Sequence, residues 1–229
     1  MVSYGVIVKE TDLYIRTSCN LKDNAISSVG KYRKQIEGYI ELHPEFAKSF
    51  KPLTTDTNSP AIIKDMIKAS EKFDVGPMAA VAGAIAESVG KDLLKFSDEV
   101  IIENGGDIFI SSKKNRIIAI YAGSSPLSGK YGIEIKAEDT PLGICTSSGT
   151  VGHSFSFGKA DAAVIIADST SIADAAATAV CNMVTTGDDI NQAIDYAKSS
   201  GLLKGAIIIK DDSMGVWGDI QLCELPQNE

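Results

Sequence analysis

Two short runs of β-forming residues open the chain, Gly5-Val6-Ile7-Val8-Lys9 and Leu13-Tyr14-Ile15-Arg16, and the polar Glu10-Thr11-Asp12 between them predicts a hairpin. The pattern then changes period. Between Asp23 and Leu42, Ile26, Val29, Ile36 and Tyr39 recur at helical spacing, and Pro44 interrupts the run. A second helix is expected to begin at Ser59-Pro60, with Ser59 as the cap and Pro60 in the first turn, and to run through Ile62, Ile63, Met66 and Ile67 to about Lys72. From Gly76 onward, Ala79, Ala80, Ala82, Gly83, Ala84 and Ala86 predict a helix of small side chains. Such a helix lets a ligand or another backbone approach closely, and tight packing on a sheet explains the same residues.

Beyond Phe96 the period returns to that of strands: Val100-Ile101-Ile102-Glu103, Ile108-Phe109-Ile110, Ile117 to Tyr121, Gly132 to Ile135, and Ala163 to Ile166. Ser171-Ile172 then leads into a helix holding Asp174 and Thr178, a further helix spans about Ile190 to Ser199, and Ala206 to Ile209 forms a late strand. This order is not the regular alternation of a doubly wound sheet. It predicts an α+β fold, with a mainly antiparallel sheet and helices packed on one side. Residues 1–229 read as a single α+β domain or as two intertwined subdomains.

Charge removes some classes of function. A formal net charge of −8 leaves no basic face for a phosphate backbone, so nucleic acid is not an expected partner. Lys31-Tyr32-Arg33-Lys34 reads as a solvated helix face and Lys113-Lys114-Asn115-Arg116 as a hairpin tip. The start of the chain lacks the pattern of a secretory leader, and the most apolar helix candidate, Gly76 to Ile85, is too short for a membrane span. Cys19, Cys145, Cys181 and Cys223 lie far apart with no C-x-x-C pair, which favours reduced thiols and a cytoplasmic protein over a zinc site.

Chemistry concentrates in three places. Asp174 and Thr178 stand at i and i+4 of one helix and can present a carboxylate and a hydroxyl to a common point, a donor set suited to magnesium or calcium. A helix-start role for Asp174 and back-bonding by Thr178 account for the same spacing. In Asn104-Gly105-Gly106-Asp107 the glycines can adopt positive φ beside a carboxylate able to accept hydrogen bonds or orient a metal-bound water; a plain turn between strands is the alternative. Thr146-Ser147-Ser148-Gly149, followed by His153, reads as a hydroxyl-rich loop for phosphate or ribose contact. Pairing of a Ser or Cys nucleophile with His153 as base is a second reading, for which no orienting carboxylate is identifiable. The Lys159-Ala160-Asp161 cluster reads as a structural ion pair, and His43 as a helix-end residue.

The order of these motifs resembles the ApbE superfamily, the FAD:protein FMN transferases, and in particular its short branch, uncharacterised protein family 0280. The resemblance rests on Gly83-Ala84-Ile85-Ala86-Glu87-Ser88, Asn104-Gly105-Gly106-Asp107-Ile108, Thr146-Ser147-Ser148-Gly149 and Ala173-Asp174-Ala175-Ala176-Ala177-Thr178, and it covers about Phe73 to Lys210. It implies a fold of the tunnelling-fold kind, an FAD-like ligand, and magnesium bound by Asp174, Thr178 and the carbonyl of Ala86. Asp107 and His153 would then be catalytic, with Asn104 to Gly106 and Thr146 to Gly149 contacting the ligand. The transferase pattern is broken at Glu87, where the family has lysine, and over His153 to Lys159, which replaces an H-x-x-D-P-x-T-G segment. Two readings follow: a magnesium-dependent transferase or hydrolase acting on a flavin or nucleotide pyrophosphate, or a small-molecule binding protein without transfer chemistry. A third is a homo-oligomer interface built from the alanine-rich helix and the hydroxyl loop.

Overall fold

The computed structural model describes residues 1–54, 58–151 and 156–226. Strands β1 (Val2–Val8) and β2 (Thr11–Thr17) form the expected hairpin and are followed by helix α1 (Lys22–Leu42). Helices α2 (Ala61–Lys72) and α3 (Val81–Leu93) come next, then strands β3 (Val100–Asn104), β4 (Asp107–Ser111), β5 (Arg116–Ala119), β6 (Tyr131–Ile135), β7 (Leu142–Ser147) and β8 (Ala162–Ala167). Helices α4 (Thr170–Met183) and α5 (Ile190–Ser199) precede the closing strands β9 (Gly205–Lys210), β10 (Ser213–Gly218) and β11 (Gln221–Glu224).

Eight strands make one antiparallel sheet in the order β1-β2-β3-β4-β7-β8-β9-β10, and β11-β6-β5 make a second, three-stranded one. The layering follows from the period of two along each strand. Val100, Ile102, Phe109, Ile165 and Ile208 point into the core shared with the helices. Their neighbours Ile101, Ile110, Ile144, Ile166, Ile207 and Ile209 point the other way, against Ile133 and Ile135 of the small sheet. β8 reads Ala-Ala-Val-Ile-Ile-Ala, buried at every position, because both of its faces are covered and neither offers water to a polar side chain.

The antiparallel α+β architecture with helices on one face is as expected from the sequence; the separate second sheet on the opposite face, and the strands β10 and β11, are not. Three details differ. Cys145-Thr146-Ser147, read as loop, form the end of β7. The cap position of α2 is Pro60 rather than Ser59. Ala79 and Ala80 lie in a short 3-10 turn, Pro77–Ala80, and α3 begins only at Val81. The alanine-rich helix is packed inside the chain, with Gly83, Ala84, Ile85 and Ala86 all buried, so those residues are not available to an oligomer interface.

Candidate functional site

The site is assembled where the β3–β4 hairpin, the end of β7, and the facing helices α3 and α4 meet. Gly105 and Gly106 turn the hairpin at φ of 64° and 109°, a conformation that other residues adopt only with strain. The turn puts Asp107 at the first position of β4. Pairing of Ile108 with Ile144 then brings β7 alongside, so that Asp107 lies against the Cys145 thiol and the Thr146 backbone. On the other side, Asp174 and Thr178 project from α4, as their spacing predicts, and the Thr178 hydroxyl lies 3.2 Å from that of Ser147.

Helices α3 and α4 approach so closely that a Cβ on Gly83 would lie 2.4 Å from the Thr170 carbonyl oxygen and 2.8 Å from the Asp174 Cβ. That contact lets the free amides at the start of α3 find a partner outside their own helix: the Gly83 N–H donates to Asp174 Oδ2 at 2.8 Å. The exchange is mutual. Glu87, on α3, accepts hydrogen bonds from the Thr170 N–H at 2.7 Å, the Ser171 N–H at 3.4 Å and the Ser169 hydroxyl at 3.0 Å, satisfying the start of α4. Asp174 thus does bind helix-start amides, though those of the neighbouring helix and not its own.

Two clefts meet at this point. The first, about 570 Å³, is lined by Asp107, Thr146, Ser147, Asp174 and Thr178, with Lys48 and Asn182 adding polar groups. Phe50 and Phe157 stand at its mouth, edge to face with ring centroids 5.2 Å apart. The second, about 710 Å³, runs between the two sheets and is lined by Asn104, Gly105, Gly106 and Ser148, together with apolar strand residues. Ala82, Asp107 and Thr146 line both.

Asp107 and Asp174 are 8% and 7% exposed, and this burial dominates their chemistry. Desolvation pushes the Asp107 carboxyl up to about 7. Asp174 is raised well above the carboxylate range, by burial first and by the charge of Asp107 second. The Cys145 thiol, buried against both carboxylates, is also pushed well up and donates to the Thr170 carbonyl at 3.3 Å. Its burial favours the protonated thiol, which works against a nucleophilic role. Asp107 Oδ1 is buried with no hydrogen-bond partner among the described residues.

An orphaned carboxylate oxygen beside a second buried carboxylate and a threonine hydroxyl is a donor set that suits a hard divalent cation. The described residues hold no group of three or more His, Cys, Asp or Glu arranged for a metal, so a cation here would complete its shell with hydroxyl, ligand and water oxygens. The sequence-derived positions fall into three groups. Asp107, Asp174, Thr178, Thr146 and Ser147 come together around the first cleft, whereas Asn104, Gly105, Gly106 and Ser148 line the second. Ala86 lines neither: it is buried further along α3, and the backbone that meets Asp174 belongs to Ala82 and Gly83.

Gly149 packs against the Gly158 carbonyl, where a Cβ would lie 1.9 Å away, and its N–H donates to the Ala160 carbonyl. The Ser148 hydroxyl closes the loop by accepting from the Thr150 and Val151 N–H groups. His153 lies outside the described residues. Asp161 pairs with Lys210 rather than Lys159, and also accepts from Thr150 and the Asp211 N–H, tying the hydroxyl loop to the end of β9. Lys48, Phe50, Phe157 and Asn182 were not foreseen. Exposed aromatics so far apart in the chain give no local signal, and only the fold brings them to one cleft.

Comparison with known proteins places this fold. Solved structures of the flavin transferase ApbE from Vibrio cholerae (TM-score 0.59, 11% identity, 94% of this chain and 96% of that one) and of the apo flavinyl transferase ApbE from Pseudomonas stutzeri (TM-score 0.61, 10% identity, 97% and 94%) share the fold. The fold is therefore an α+β fold of the ApbE type. The family model described as AbpE bacteria matches residues 3–214, and the chain belongs to that family. Its relatives place it in the UPF0280 branch: a UPF0280 protein of Methanopyrus kandleri is 39% identical over 226 residues, covering 95% of this chain and 91% of that one. Another, from Methanocaldococcus jannaschii, is 41% identical over 221 residues, with coverage of 94% and 90%.

Proposed function

We propose that the first cleft binds a flavin- or nucleotide-type pyrophosphate with a divalent cation, magnesium for preference, and that the protein acts on that ligand as a transferase or hydrolase. The observation that carries this reading is the partnerless Asp107 Oδ1, buried beside Asp174 at the floor of the cleft. Burial raises the proton affinity of both carboxylates, and for Asp174 the charge of Asp107 adds to it, so a bound cation would relieve a cost that the fold imposes on the ionised pair.

Asp107, Asp174 and Thr178 would hold the cation. When bound, it would neutralise phosphate charge and polarise the bond being broken. The chain's own groups supply the rest. Thr146 and Ser147 offer hydroxyls to phosphate oxygens, and Lys48 brings a positive charge to the same cleft. Phe50 and Phe157, 61% and 62% exposed, offer apolar ring surface to a planar heterocycle at the mouth. Asp107 is placed to orient the ligand or an attacking hydroxyl, and His153 would serve as the second proton-handling group.

A second reading, ligand binding without turnover, is favoured by Glu87. Its carboxylate is committed to the start of α4, so it brings no substitute for the lysine charge that the ApbE pattern has at that position. A cytoplasmic setting fits the four free cysteines, and no helix among the described residues is long and apolar enough to cross a membrane.

The test is FAD binding to Asp174→Ala and Thr178→Val in the presence of magnesium. Thr178→Val leaves the start of α3 satisfied and separates loss of the cation from loss of the helix contact. Weakening of about ten-fold or more in both variants is expected; unchanged binding and turnover in both would refute the role given to these residues.

A further inference from the structure

The second cleft lacks Asp174 and Thr178, yet it is the larger of the two and opens on the other side of Asp107. Its walls are strand faces of both sheets: Ile108, Ile144 and Val164 from the large one, and Ile118, Ile120 and Ile133 from the strands that lead into or form the small one. This is the part of the inter-sheet layer that is not closed by side-chain packing. The rim has the opposite sign to that expected for a phosphate site. Glu10 and Glu103 stand there, and no basic side chain is among the described residues that line it. The Glu10 carboxylate is paired with Arg33, which leaves Glu103 as the uncompensated charge. Tyr121, 66% exposed, adds an aromatic face at the mouth. Among the described residues that line the cleft, Asp107 is the buried carboxylate.

We infer that the inter-sheet cleft is a second binding site, for an apolar, planar group that is neutral or cationic, and that it admits the second reactant to Asp107 from the side opposite the phosphate ligand. The binding statement stands on the cleft itself; the role as second-reactant site rests on the function proposed above. The charge contrast separates the ligands. With a cation on Asp107 and Asp174, the first cleft would offer positive charge, Lys48 and hydroxyls to an anion, whereas the second offers an acidic rim that repels one. The hairpin turn of Gly105 and Gly106 forms part of the wall of this second cleft and does not line the first, which gives these residues a ligand-side role distinct from phosphate contact.

The test uses a charge-matched pair of probes, tryptamine and indole-3-acetate, which present the same ring with opposite charge. Binding of each to the full chain is measured by saturation-transfer NMR and titration. The site requires tryptamine to bind more tightly than indole-3-acetate, and Glu103→Lys to weaken tryptamine by about ten-fold and to reverse the preference. Ile118→Trp, which fills the cleft, should abolish binding of both. Glu103 is exposed, so its substitution keeps the test decisive even if the Ile118 variant folds poorly. Equal binding of the two probes, or tryptamine binding indifferent to Glu103→Lys, overturns the site. Saturating FAD with magnesium should leave tryptamine bound, and displacement would show a single shared site and overturn the inference. Tryptamine binding in a protein that does not bind FAD would overturn the proposed function while leaving the second cleft standing.

Discussion

At the scale of single residues, the character of the site comes from two carboxylates that the fold forces together. A carboxyl raised to about 7 keeps its proton in the folded protein at pH values where the unfolded chain has already released it. Proton binding therefore favours the folded state at low pH. That contribution is fully present below the ordinary carboxylate range and is lost as pH rises toward about 7. The melting temperature of metal-stripped protein should fall between about pH 4.5 and 7.5, and Asp107→Asn should flatten the curve by removing one of the two interacting charges. Magnesium should restore the loss at the high-pH end in the parent chain and much less in the variant. A flat profile in the parent would show that burial does not raise the proton affinity of these carboxylates. Thr178 and Ser147 complete the polar floor through side chains whose meeting no local pattern announces.

At the scale of elements, α3 and α4 act as a pair. Each supplies the carboxylate that satisfies the other's N-terminal amides, Glu87 for α4 and Asp174 for α3, and the close contact at Gly83 makes this geometry available. Glu87→Gln should lower stability by about 0.5–2 kcal/mol through the weakened helix-start contact. Denaturant melts would read this, and an unchanged midpoint would show that Glu87 is not a structural cap. The sequence makes some of this legible. Helical spacing predicts that Asp174 and Thr178 share a face, and the small residues around Gly83 announce a close approach without naming α4 as the neighbour. Cys145 to Ser147 mislead because threonine and serine beside glycine read as loop, while the pairing that makes them strand is with residues distant in sequence. The backbone that meets Asp174 lies at Ala82 and Gly83, ahead of Ala86, because the amides left without an intrahelical partner are those at the start of α3.

At the scale of the molecule, three layers decide what the site can be. Helices cover one face of the eight-stranded sheet and the small sheet covers the other, so Asp107, just after the hairpin turn at Gly105-Gly106, stands at the junction of two clefts. The antiparallel α+β class was readable from the order of strand-like and helix-like runs. The second layer was not, because β11 joins β6 across most of the C-terminal half and its short run carries no distinctive alternation. The fold is shared with flavin transferases at about a tenth sequence identity, so it is the local constellation of Asp107, Asp174 and Thr178 that has to carry the functional argument. The most direct measurement is calorimetry of FAD against metal-stripped protein, with and without magnesium, with the same samples assayed for AMP. Binding that depends on magnesium, accompanied by AMP release, is the expected result. FAD binding of equal strength without the cation, or none under either condition, would contradict the account.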